Sequence, residues 1–336
     1  MSGTVGRVSG LAVSLAPSGL SFRDNVAFAK EAEVLGYDSA WVPEVGGNDA
    51  FALGAAVGLA TERLRIGTAV VPMNIRGPAL LAMAASTMDA MSGGGRAICG
   101  IGVSSPQIVS DWNDADYYKP LKRAEETIGV LRQMFAGEKV SFDGEVVKVK
   151  GYRMMPSPPQ PIPIYLGALN KKMLQLAGEK ADGVIINMLG EEHVPKVVAE
   201  VRKGAERAGK DPNDIEVVMR VQCAVTDDPQ QIREAFAHGF GAYIVAPGYD
   251  TFFTWQGYGE VVEGVRAGRA AKDRAASRAA VSDDILNALV VAGSADEVRG
   301  RLKAFMNAGV TTPAVHIFWP DPEVAWRTMR ELAPGN

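Results

Sequence analysis

Only two cysteines and three histidines occur in this chain of 336 residues, and that scarcity closes several possibilities. Cys99 and Cys223 lie far apart, each in a strand-like apolar run, and read as buried reduced thiols rather than a disulfide. His193, His238 and His316 share no metal-ligand spacing and have no cysteine beside them, so no metal is expected. Positive charge is not in excess: the net charge is −4, which argues against a nucleic-acid partner. No apolar run reaches the roughly 18 residues that span a bilayer, and LAVSLA near the N-terminus is too short for a signal segment. A cytoplasmic protein that stays off the membrane is the expectation. No GxGxxG opens a helix after the first strand, which disfavours a Rossmann sheet, and no GxSxG elbow is present.

What the chain does have is alternation. Strand candidates fall at 7–15, 37–42, 64–71, 96–103, 162–168, 182–188, 215–225 and 313–319, each β-branched or continuously apolar. Helical stretches separate them, among them 22–36 ending at Gly36, and PALLAMAASTMDAM opening on Pro78. Eight such repeats predict an α/β fold, a (β/α)8 barrel forming one domain over 1–336. Three segments interrupt the rhythm. Residues 104–119 follow the fourth strand, 137–161 read as a hairpin turning at Asp143-Gly144 plus a proline-rich run, and 240–290 follow the seventh strand. Of eleven Phe, five Trp and eight Tyr, six fall within 243–258. They suit a lid, a pocket lining or simple packing, and packing is the expectation for most.

Barrel chemistry sits where strands end. Gly93–Gly95 and Asp182 precede strands and therefore belong to the opposite face. Gly100 and Gly102 close the fourth strand, where missing side chains would leave room in the mouth. The fifth strand ends at Gly167-Ala168, Asn170 is placed to cap a helix, and Lys171 and Lys172 occupy its first turn. Positive charge there opposes the helix dipole unless an anion is bound, so this end suits a phosphate, although two solvated lysines would look the same. Glu44, after the second strand, is the one well-placed carboxylate. A glycosidase would need a pair. His316 lies in the last strand, where a hydrogen-bonded core histidine is the expectation.

These motifs together resemble a known family. The run RIGTAVVPMNIRGPALLAMAASTMDAMSGGGRAICGIGVSSPQIVSDW (65–112) is similar to the bacterial luciferase-like monooxygenase superfamily, in its coenzyme F420-dependent oxidoreductase branch. DSAWVPE (38–44), the run over 120–145, YLGALNKKMLQLAGEKADGV (165–184) and GSADEVRGRLKAFMNAGVTTPAV (293–315) are similar to it too. The resemblance implies hydride transfer between a deazaflavin, coenzyme F420, and a small organic substrate, with FMN as the alternative cofactor. It implies a bulge at Ala69-Val70, with a cis peptide, under the ring. Val103, Ser104 and Ser105 would flank the cofactor, and its phosphate would lie near Gly167, Ala168, Leu169 and Asn170, beside Lys171 and Lys172. Glu44 would tune the ring or relay protons. Relatives often place a histidine after it, and this chain has Val45. They also carry Glu-x-Trp-His-Gly where this chain has Ser110-Asp111-Trp112-Asn113-Asp114, so Asn113 stands for a histidine and Trp112 is expected to pack the loop. A homodimer through the helices at 51–62 and 78–91 is implied as well. A non-catalytic flavin-binding barrel and a barrel lyase are the rivals, the latter needing a buried lysine at a strand end.

Overall fold

The computed structural model describes residues 10–15, 19–317 and 321–335. Twelve strands are present among them: β1 Ala12–Ser14, β2 Ser39–Val42, β3 Arg65–Thr68, β4 Val71–Pro72, β5 Ala97–Gly102, β6 Val140–Asp143, β7 Lys148–Tyr152, β8 Ile164–Gly167, β9 Gly183–Asn187, β10 Glu216–Val225, β11 Val290–Gly293 and β12 Thr312–His316. In the order β1-β2-β3-β5-β8-β9-β10-β12 they pair in parallel, and β12 returns to β1, so the sheet closes into the predicted barrel. Helices run between consecutive barrel strands, and the burial of most strand residues on both faces explains their near-continuous apolar sequence. The outer ends of the first and last predicted strands, 7–9 and 318–319, lie outside the described residues.

Local signals set the elements where expected. Helix Phe22–Val34 begins with a Ser21–Asp24 capping box and is followed by Gly36 at φ 88°. Pro78 opens helix Pro78–Met91, and Gly93, Gly94 and Gly95, all at positive φ, turn the chain into β5 on the face away from the mouth.

Two features differ from the sequence reading. The hairpin β6–β7 is real, but its turn is not a two-residue Asp-Gly turn: Asp143 pairs with Lys148, leaving a four-residue loop. The loop is held by Glu126 of helix Pro120–Phe135, whose buried carboxylate accepts the N–H groups of Glu145, Val146 and Val147 at 2.9–3.0 Å. β11 was not anticipated. It pairs with residues 222–225 of β10, beyond the 216–220 that β9 uses and overlapping the 218–222 that β12 uses only at Gln222. Before it, 240–290 folds into short helices over a second core containing Phe240, Phe253, Val265 and Ile285. Phe252 and Phe253 are fully buried, as the packing expectation required.

Candidate active site

Inward-pointing side chains stack in three tiers. At the floor, the buried Glu216 carboxylate accepts from Thr312 Oγ1 (2.5 Å), from the Tyr165 hydroxyl and from Arg65 Nη1 (3.4 Å), so its charge is paired. Above it, Ala12, Trp41, Ile98, Ile185, Val218 and Ala314 fill the interior. The upper tier, at the strand C-termini, divides into two arcs of different chemistry.

The first arc is built by β2, β3, β5 and β8, and nearly all of its rim is small. Between β3 and β4 the chain bulges at Ala69-Val70, where the peptide is cis as the resemblance implied. Thr68 Oγ1 ties the bulge to β5, donating to Gly100 O (2.7 Å) and accepting from Gly100 N (2.9 Å). The β5 glycines serve this contact and not an empty mouth. A Cβ on Gly100 would lie 1.8 Å from Thr68 O, and one on Gly102 would lie 2.3 Å from Val70 Cγ2. Gly167 is nearly as close, 3.1 Å from Val70 Cγ1. The room expected at 100 and 102 is therefore already filled by Thr68 and Val70.

Val103, Ser104 and Ser105 are half-buried on the rim. Ser104 has φ 60°, a left-handed conformation that costs a non-glycine residue roughly 1–3 kcal/mol and concentrates at functional sites. Met188, just after β9, shares it at φ 55°. Ser105 Oγ accepts from Ile108 N (3.3 Å) at the start of a π-helical turn, Gln107–Asp111. Asn113 Nδ2 closes that turn by donating to Ile108 O (2.7 Å), a structural role. Trp112 follows the turn and rests against Gly46 in the loop after β2, with half of its surface exposed.

At the end of β8, Ala168 is buried, Leu169 is half-buried and helix Lys171–Lys180 begins on schedule. Asn170 holds the N-cap position but does not cap. Its Nδ2 donates to Gly248 O (2.9 Å) instead, so no side chain caps the first turn. Lys171 and Lys172 are both exposed, and Lys171 Nζ lies 5.5 Å from the Trp255 ring centroid.

Glu44 is almost enclosed. Its Oε2 accepts from Ala50 N (2.8 Å) and Arg76 Nη2 (3.0 Å), whereas Oε1 is buried with no hydrogen-bond partner among the described residues. Burial pushes the neighbouring Asp49 carboxyl up, but Arg76 and the Ala52 and Phe51 N–H groups outweigh it and hold the group below its ordinary range.

The second arc, from β9, β10, β12 and β1, is polar. Arg220 points inward beside His316, its Nη2 2.9 Å from His316 Nε2, and His316 Nδ1 is 3.1 Å from Ser14 Oγ. A guanidinium only donates, so Nε2 accepts and the ring proton sits on Nδ1, directed at Ser14. Burial and the facing Arg220 hold His316 well below its ordinary pKa, so the ring is neutral. His316 is thus the hydrogen-bonded histidine the sequence suggested, and it points into the barrel. Arg220 and Asn187 received no weight from sequence alone. The signal available was the spacing Glu216, Val218, Arg220 within EVVMRVQCAV, which puts two charges on one inward face.

Among the described residues no metal-competent cluster occurs and no helix is long and apolar enough to cross a membrane. Comparison with known proteins follows the same direction as the geometry. The family model for luciferase-like monooxygenase matches residues 7–312. A 5,10-methylenetetrahydromethanopterin reductase of Methanolobus tindarius is 31% identical over 287 residues, covering 84% of this chain and 87% of that protein. An F420-dependent glucose-6-phosphate dehydrogenase of Mycolicibacterium fortuitum is 31% identical over 226 residues, 62% of this chain and 66% of that one. In fold, the coenzyme F420 dependent tetrahydromethanopterin reductase of Methanopyrus kandleri superposes with a TM-score of 0.80 at 24% identity, covering 98% of both chains.

Proposed function

This chain belongs to the luciferase-like monooxygenase family, and we propose that within it the protein is an oxidoreductase moving a hydride between coenzyme F420 and a small organic substrate. The observation that carries this reading is the first arc. A bulge of small residues at the mouth adjoins a helix start that no side chain caps and a buried carboxylate oxygen, Glu44 Oε1, that no protein group satisfies. Such a set suits a planar ring bearing a polar edge and an anionic chain.

The deazaflavin, when bound, supplies or takes up the hydride. Ala69, Val70, Val103, Ser104 and Ser105 would hold its ring, and Gly167, Ala168, Leu169 and Asn170 its chain. The first-turn N–H groups at Lys171 and Lys172 would hold its phosphate. Glu44, fixed by Ala50 N–H and Arg76, offers Oε1 as the hydrogen-bond acceptor or proton relay. His316 does not serve as proton donor, because its single ring proton is committed to Ser14.

The fit extends to assembly and location. Helices Ala50–Ala60 and Pro78–Met91 pack side by side and leave Leu59, Leu80, Met83 and Met91 exposed, which supports a homodimer through them. The two buried, unpaired thiols support a reducing, cytoplasmic setting. Parallel absorbance and fluorescence titrations with F420 and FMN, followed by steady-state turnover, test the function. Tight F420 binding with weak FMN binding is expected; a preference for FMN, or binding without hydride transfer to any candidate substrate, overturns it.

A further inference from the structure

Arg220 is a cation that the fold leaves unanswered. It is the inward residue of β10 in the upper tier, its Nε is shut off from solvent, and that nitrogen has no hydrogen-bond partner among the described residues. Among the described residues its side-chain hydrogen-bond partner is His316, which is neutral and so positions the guanidinium without cancelling its charge. Among the described residues no carboxylate pairs with it. The titratable groups that face it are Tyr243 and Tyr249; burial pushes the Tyr249 hydroxyl pKa up, and that hydroxyl is in turn hydrogen-bonded to Asn187. The same strand shows the alternative: four residues below, Glu216 is buried and fully paired with Arg65, Tyr165 and Thr312.

An uncompensated guanidinium is costly to bury, and its planar donor edge matches a carboxylate or phosphate. We infer that the substrate of this protein carries such an anionic group and that Arg220, held by His316, receives it at the mouth. Arg220 sits across the barrel from the bulge at Ala69-Val70, so the anion is the substrate's and not the cofactor's. This inference rests on the hydride-transfer reading for its word substrate, but the anion site itself does not need that reading.

Inorganic phosphate and acetate are suitable probes on the cofactor-free full chain, with chloride at matched ionic strength and acetamide as controls. Calorimetry and thermal melting should show phosphate or acetate binding the wild type and raising its Tm, while the controls do not. Arg220→Met should reduce the shift by at least half, whereas Lys303→Glu, exposed on helix Ala295–Ala308, should keep it. Should Arg220→Met fail to fold, Arg220→Lys decides, since loss of the planar fork should weaken phosphate at least ten-fold. An absent shift in the wild type, an unchanged shift in Arg220→Met, or unchanged phosphate affinity in Arg220→Lys overturns the site. A parallel F420 titration separates the two readings. Intact F420 affinity in Arg220→Met is expected, and a ten-fold loss would assign the anion to the cofactor and overturn the inference. Phosphate binding through Arg220 in a protein that ignores F420 would leave the anion site standing and remove the hydride-transfer function.

Discussion

The six-membered edge of the Trp112 indole lies over Gly46, so close that a Cβ at Gly46 would stand 3.2 Å from Trp112 Cζ3. Trp112 lies within the segment after β5 and Gly46 within the loop after β2, so the two strand exits on either side of β3 meet here. Because about half of Trp112 is exposed, removing it costs about 2 kcal/mol, small against the stability of a chain this size. Trp112→Ala should therefore leave the Tm within a few degrees yet weaken F420 binding by ten-fold or more, as read by fluorescence titration. Unchanged affinity would reduce the contact to decoration.

Asn113 is expected to tolerate the residue it replaces. Its work is the 2.7 Å bond to Ile108 O, which a histidine can make in one tautomer. Asn113→His should keep turnover within a few-fold, with no new titration near the histidine pKa of about 6.5 in the pH–rate profile. A large gain with that titration would show that a proton donor is missing here.

The Glu126 carboxyl governs acid sensitivity around the hairpin. Burial pushes its pKa up, but the three N–H groups of the β6–β7 loop outweigh burial and hold it below its ordinary value. A depressed folded pKa means stability that is present above the unfolded pKa of about 4.3 and is lost as pH falls through the folded value. Glu126→Gln should lower stability by about 2 kcal/mol at pH 7 and flatten the loss between pH 5 and 3, measured by urea titration.

The lysines at the end of β8 are expected to differ. Lys171 is steered over the Trp255 ring, while Lys172 has no such neighbour among the described residues. Reversing Lys172 to Glu should weaken F420 binding and reduce its dependence on salt, and reversing Lys171 should do so and also loosen the Trp255 contact. Unchanged affinity in both would leave the helix N–H groups to act alone.

Dimerisation is tested where the apolar surface is. Leu80 and Met83 are each nearly half exposed on helix Pro78–Met91. The double change to Glu should turn a dimer into a folded monomer in light scattering, with the circular dichroism spectrum preserved. A wild type that is already monomeric at micromolar concentration would remove the proposal.

The fold was legible because buried parallel strands write themselves as apolar runs and their helices as periodic ones. The first arc was legible through its small residues and through family likeness. Three things were not. The turn at 143–147 depends on Glu126, nearly twenty residues earlier, and no local pattern announces a carboxylate that caps another element. β11 is four residues of ordinary apolar sequence whose pairing depends on the unusual length of β10. Arg220 sits in a strand otherwise rich in Val, where one cation is easily passed over, and its isolation becomes visible only when every neighbour is in place.

The shared volume between Val70 and Gly102 bears on how this barrel changes through time. A side chain at 102 and a branched side chain at 70 exclude each other, and Gly167 leans on the same valine from the other side. The three positions are therefore sterically coupled: a methyl added at 102 requires residue 70 to shrink or move, and one added at 167 needs it to give by a few tenths of an ångström. Paired replacements across the two strands, and not single ones, are the steps by which the shape of this mouth can drift.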